Sequence, residues 1–132
     1  MDIKFIVITI GTWFLFIVLA IVNAGLRERV FTEFFDELRS HQLSTFTLMV
    51  FIFVVTYLVL RYSGIDLTDT QAFIMGTIWL ILAISFEFLA GHYIFGNSWE
   101  LLIGDYNILK GRIWILILIT TFLAPYLAKK LI

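Results

Sequence analysis

The sequence predicts an all-α integral membrane protein with four transmembrane helices in a bundle. An amphipathic helix over about 26–39 and a short helix over about 98–103 accompany them. Three observations carry this expectation. The 132 residues are 61% apolar and only 14% charged, whereas soluble domains run near about 45–50% and about 25%. A soluble domain this short leaves much of its surface wet, so this much Leu, Ile and Phe has no interior large enough to hold it. The charges that remain fall between long uncharged runs. A soluble enzyme, a nucleic-acid binder and a disordered chain are excluded on these grounds. Nine Lys and Arg against ten Asp and Glu leave a formal charge of −1, with no basic surplus for nucleic acid. Without cysteine there are no disulfides, thiolate metal sites or S-palmitoylation.

Each span follows from a charge-free run. Phe5 to Leu26 has no ionisable side chain, enough for roughly 33 Å of helix at about 1.5 Å per residue, and gives a span over about 4–26. This run exceeds the about 7–15 apolar residues of a signal-peptide core, so it is expected to be retained. The second span, about 42–60, lies between Arg39 and Arg61, and the third, about 70–91, is interrupted by Glu87. The run from Ile113 to Ala128 is short, so the fourth span is drawn back to about 107–128. The whole chain, 1–132, then forms one four-helix domain.

The links have their own signals. Leu26, Val30, Phe31, Phe34, Phe35 and Leu38 recur at helical spacing opposite Arg29, Glu33, Asp36 and Glu37, which reads as an amphipathic helix in the interface or extending the first span. Thr68 and Gln71 have capping-box spacing at the start of the third span. Asn97 and Glu100 have it before the short helix, which Gly104 ends. Pro125 should bend or loosen the last turns of the fourth span.

Four spans put the chain ends and the 61–70 link on one side of the membrane, and most of the unusual polar residues on the other. There the candidate pocket comprises Glu87, Arg27, Asn23, His41, His92, Asp105, Asn107 and Arg112. Glu87 is the central member, because an ionisable residue within a span is a functional hypothesis by default. Ala72, Gly76, Ala83, Ala90 and Gly91 lie near its face, and small residues turn a helix face toward its neighbours. On the first span, Trp13, Phe16, Ala20, Asn23 and Arg27 form one stripe. The bland alternative is that Glu87 pairs with Arg27 or Arg112 merely to lock the bundle.

His41, His92 and Glu87 are the ligands a metal would use, but no local ligand pair such as H-E-x-x-H occurs, so no metal and no cofactor are expected. A Ser44–His41 catalytic pair lacks any nucleophile turn. Trp79, Trp99, Tyr93, Tyr106 and Trp114 read as belt or core aromatics. The segment FEFLAGHYIFGNSWELLIGDYNILKGRIW (Phe86–Trp114), with NAGLRE (Asn23–Glu28) and HQLS (His41–Ser44), resembles a family of small four-span prokaryotic membrane proteins. The resemblance covers most of the chain and implies the shared architecture and a prokaryotic inner-membrane location; it carries no catalytic role.

Arg27, Arg29, Arg39, Lys110 and Arg112 face Lys4, Arg61, Lys129 and Lys130 across the membrane, and this near-tie sets no orientation. Three functions fit. A small transporter or channel for an ion, proton or small solute is favoured, since one buried acid suffices for it. A membrane-embedded enzyme acting on a lipid or isoprenoid headgroup and a structural assembly subunit are the alternatives. The expected partners are the lipid bilayer and, for transport, further copies of the chain in a homo-oligomer.

Overall fold

The computed structural model describes residues 2–104, 106–111 and 113–132, the side chain of Lys110 aside. All regular structure among the described residues is helical. Helix α1 (Ile3–Leu26) starts at Asp2, whose carboxylate accepts from the Phe5 amide at 3.0 Å. It continues through a π-helical stretch, Arg27–Phe31, into a last turn, α2 (Thr32–Phe34). Then follow α3 (Glu37–Tyr62), α4 (Asp69–Tyr93), the short α5 (Trp99–Gly104) and α6 (Ile115–Leu131). Ile3–Phe34, Glu37–Tyr62 and Asp69–Tyr93 are long and apolar enough to cross a membrane. Their outward side chains agree: Ile6, Val7, Phe14, Val18 and Ile21 of α1 are exposed, while Thr9, Thr12 and Asn23 of the same helix are buried. Apolar outside and polar inside is the surface of a membrane protein.

The expected caps are present with one shift. Thr68 and Gln71 form the full capping box of α4. At α5 the cap is Ser98, whose hydroxyl accepts from the Leu101 amide at 3.1 Å. The helix begins at Trp99, so Ser98 and not Asn97 occupies the capping position.

Two expected elements are redrawn. The amphipathic helix over 26–39 is divided, because Phe35 is extended (φ −134°, ψ 157°) and Asp36 caps α3 by accepting from the Arg39 amide at 2.8 Å. The apolar spacing runs across this break, but a short carboxylate that binds a backbone amide starts a helix more readily than it continues one. The first part therefore extends α1 and the second opens α3. The fourth helix, expected from about 107, begins at Ile115. Residues Ile108–Lys110 form a 3-10 turn that stops at Gly111, where φ of +81° is left-handed and ends the helical path. Gln42 fastens this bend to α3 by donating to the Gly111 carbonyl at 2.9 Å. Helix α6 runs on through the buried Pro125 to Leu131.

Packing is uneven. Helix α6 lies along both α3 and α4, whereas α1 contacts mainly α3 and touches α4 less. Gly76 sets the α4–α6 approach: a Cβ there would stand 2.0 Å from the Phe122 carbonyl oxygen, so only glycine admits this backbone contact. The core joins Met75 and Trp79 of α4 to Leu48 and Ile52 of α3 and to Ile117 and Ala124 of α6. Buried polar groups in it are served locally. Thr9, Thr56 and Thr121 donate to the carbonyls of Phe5, Ile52 and Ile117, and the Trp79 indole donates to the Thr9 carbonyl at 2.8 Å. At the far end, Lys129 and Lys130 reach Asp69 at 2.9 and 3.4 Å, tying the end of α6 to the start of α4.

Candidate functional site

Above this core the helices part around a cavity of about 290 Å³. Its wall takes Trp13, Phe16, Ala20, Asn23 and Arg27 from α1 and the turn after it, which is the stripe expected from their spacing. Helix α3 contributes His41, Leu48 and Ile52, and α4 contributes Ala83, Phe86, Glu87 and Gly91. Tyr106, Trp114, Ile117 and Thr121 also line it. Phe16, Ile52 and Thr121 stand near the middle of their helices, while Arg27, Asn97 and Tyr106 stand at helix ends or in the following links. The cavity therefore reaches from a polar end to about mid-length of the fold. Gly91 lies at its rim, where a Cβ would stand 2.8 Å from the tip of the Leu102 side chain, which would have to turn aside.

Glu87 is held from two sides. Its Oε1 accepts from the Trp114 indole N–H at 2.9 Å and its Oε2 accepts from the Tyr106 hydroxyl. A hydrogen bond made within a fold is worth about 0.5–1.5 kcal/mol net. Glu87 thereby clips the link after α5 and the foot of α6 to α4. Arg27 makes no ion pair among the described residues, so the expected Glu87–Arg27 lock is not formed.

Asn23 is 1% exposed and its amide nitrogen donates to the Ser44 carbonyl at 2.8 Å, joining α1 to α3. The buried Oδ1 of the same amide has no hydrogen-bond partner among the described residues. His41 is buried with its ring 5.6 Å from that of Trp114. Ser44 donates to the backbone carbonyl of His41 at 2.9 Å and not to its imidazole, so the two do not form a nucleophile–base pair.

Of the expected pocket residues, Asn23, Arg27, His41 and Glu87 meet in the wall. His92 does not. Its Nδ1 lies 2.8 Å from the Asn97 carbonyl and its ring stacks on Trp99 at 3.8 Å, which braces the turn between α4 and α5. Asn107 precedes the 3-10 turn with its amide donating to the Gly104 carbonyl at 3.1 Å, and it too is outside the wall. Asp105 and Arg112 lie outside the described residues. Among the described residues no three His, Cys, Asp or Glu side chains gather in a metal-binding group, so His41, His92 and Glu87 do not form one. Tyr106 and Trp114, read from the sequence as belt or core aromatics, prove to be the donors to Glu87. The available signal was that both carry a donor and follow the helix that holds the half-buried Glu87.

The fold and this cavity define a class: a membrane protein with a polar-mouthed cavity that ends within its helices. Comparison with known protein families, with curated proteins and with solved structures finds no match to the chain.

Proposed function

We propose that this chain is a small solute transporter, seen with its binding cavity open toward one side of the membrane. In this reading α1, α3, α4 and α6 are four spans of one bundle. The short α6 completes its crossing with the flanking 3-10 turn and the Lys129–Lys130 end. A prokaryotic inner membrane, the architecture of the small four-span family it resembles, and a homo-oligomeric assembly belong to the same proposal.

The observation that carries it is the depth of the cavity. A site for a headgroup at the interface needs polar residues at the helix ends only. Here the space continues to Phe16, Ile52 and Thr121, where a bound solute would sit near mid-membrane. The uneven packing supports the same reading, since α1, which carries one wall, is the less tightly held span.

The absence of cysteine makes the test direct. Single substitutions Thr121→Cys and Ala83→Cys are exposed to a membrane-impermeant maleimide in right-side-out and in inverted vesicles. Transport requires both positions to react from both sides, because the cavity alternates. Reaction from one side only would overturn transport and favour an enzyme or binding protein that works on a headgroup from that side.

A further inference from the structure

We propose that the cavity takes a small organic acid with an N–H or O–H donor next to its carboxylate, held between Arg27 and the side-chain oxygen of Asn23. This rests on the cavity being a ligand site, as above, and it moves the ligand's anchor from Glu87 to the opposite wall.

Glu87 is already engaged by two donors, Trp114 and Tyr106. Such a carboxylate organises the wall, and its bonded oxygens are not offered to a cation. The α1 side is different. Only the amide nitrogen of Asn23 can donate to the Ser44 carbonyl, which fixes the amide orientation and leaves Oδ1 as an acceptor on a cavity-lining residue. That oxygen is buried and has no partner among the described residues. A buried acceptor without a donor costs about 1–3 kcal/mol, so a donor on the ligand recovers what the empty fold gives up. Arg27 lies four residues on, one turn along the same stripe, and it also lines the cavity, with no ion pair among the described residues. Guanidinium is a fork of donors suited to carboxylate.

Much of the rest of the wall is apolar, with Trp13, Phe16 and Phe86 prominent. A ligand that satisfies all three zones has a carboxylate, an adjacent donor and an apolar or aromatic body. The volume of about 290 Å³ is at the small end of ligand pockets. It suits a free acid with one ring better than a two-chain lipid.

The test uses three water-soluble probes on the full chain in phosphatidylcholine nanodiscs: phenyllactate, phenylpropionate and phenethylammonium. Binding is read from indole fluorescence, since Trp13 and Trp114 are in the wall. Phenyllactate is expected to bind about tenfold more tightly than phenylpropionate, which lacks only the donor and so about one hydrogen bond. Phenethylammonium should not bind. Asn23→Leu should bring phenyllactate down to the level of phenylpropionate, and Arg27→Gln should weaken both acids by at least about tenfold. If either variant fails to fold, the contrast among probes on the unmodified chain still decides. Equal affinity of the two acids would overturn the proposal, as water would then serve Asn23. So would binding of the cation, or of no acid at all. Loss of phenyllactate binding only in phosphatidylglycerol discs would overturn the free-acid source and assign the site to an anionic lipid. Two-sided labelling of Thr121→Cys without acid binding removes this ligand class and leaves transport standing; acid binding with one-sided labelling does the reverse.

Discussion

Gly76→Ala is the substitution whose cost can be worked most directly. The added Cβ would lie 2.0 Å from the Phe122 carbonyl oxygen, 2.9 Å from its carbon and 3.2 Å from its Cα. Ordinary contact begins at 3.4 Å, so the deficit is about 1.4 Å. The obstacle is helix backbone, which no rotamer change relieves, and α4 and α6 have to separate. Overpacking costs typically about 1–3 kcal/mol, and a backbone-on-backbone clash belongs at the top of that range. Alanine returns about 1 kcal/mol through its helix propensity, leaving a net loss of about 2 kcal/mol. Gly11→Ala is the control: it is also helical but meets nothing within 4 Å, so it should be neutral or stabilising. Both are compared by reversible unfolding in mixed micelles. Because Phe122 follows Thr121 of the cavity wall, separation should also increase maleimide labelling of Thr121→Cys from the side away from the mouth. If Gly76→Ala is as stable as the unmodified chain and leaves labelling unchanged, the α4–α6 contact described above is wrong.

Three further outcomes are expected. Glu87→Ala and Trp114→Phe each destabilise, and their double-mutant cycle should give a coupling of about 1 kcal/mol, as for one hydrogen bond; strict additivity would show that the two side chains do not meet. Gly111→Ala forces a left-handed residue to carry a Cβ at 3.2 Å from Gln42 and Leu38, so it should cost about 1–3 kcal/mol and lower the melting temperature, whereas an unchanged temperature would count against the bend. Thr68→Ala removes one half of the α4 capping box, for a loss of about 1 kcal/mol in the same unfolding assay, with no effect on labelling in the distant cavity.

Much of this was legible from residue spacing. The α1 stripe from Trp13 to Arg27 and the face of α4 around Glu87 followed from a period of 3.6, because a helix fixes which side chains share a side. The limits of α3 and α6 were not legible from hydropathy. Hydropathy measures burial in lipid, while Asp36 and Gly111 end and start helices by backbone hydrogen bonding and left-handed geometry. The partners of Glu87 lay further out of reach. Tyr106 and Trp114 come to it only because a 3-10 turn and a bend occupy the stretch that a longer fourth helix was expected to fill. Had that helix begun at 107, both aromatics would have been placed by helical spacing alone.

The clip between Glu87 and the residues after it has a consequence for how the protein is made. A chain is synthesised from its N-terminus, so α4 leaves the ribosome before Tyr106 and Trp114 exist as residues. During that interval the bilayer must accept a helix whose carboxylate has yet to meet either donor. Helix α6, which emerges after them, also supplies the surface that α3 and α4 share. The order of translation thus leaves the three long helices α1, α3 and α4 as a waiting assembly. The Glu87 carboxylate meets both donors only when residues 106–114 arrive, and stop codons in that stretch should yield products that are cleared and not inserted stably.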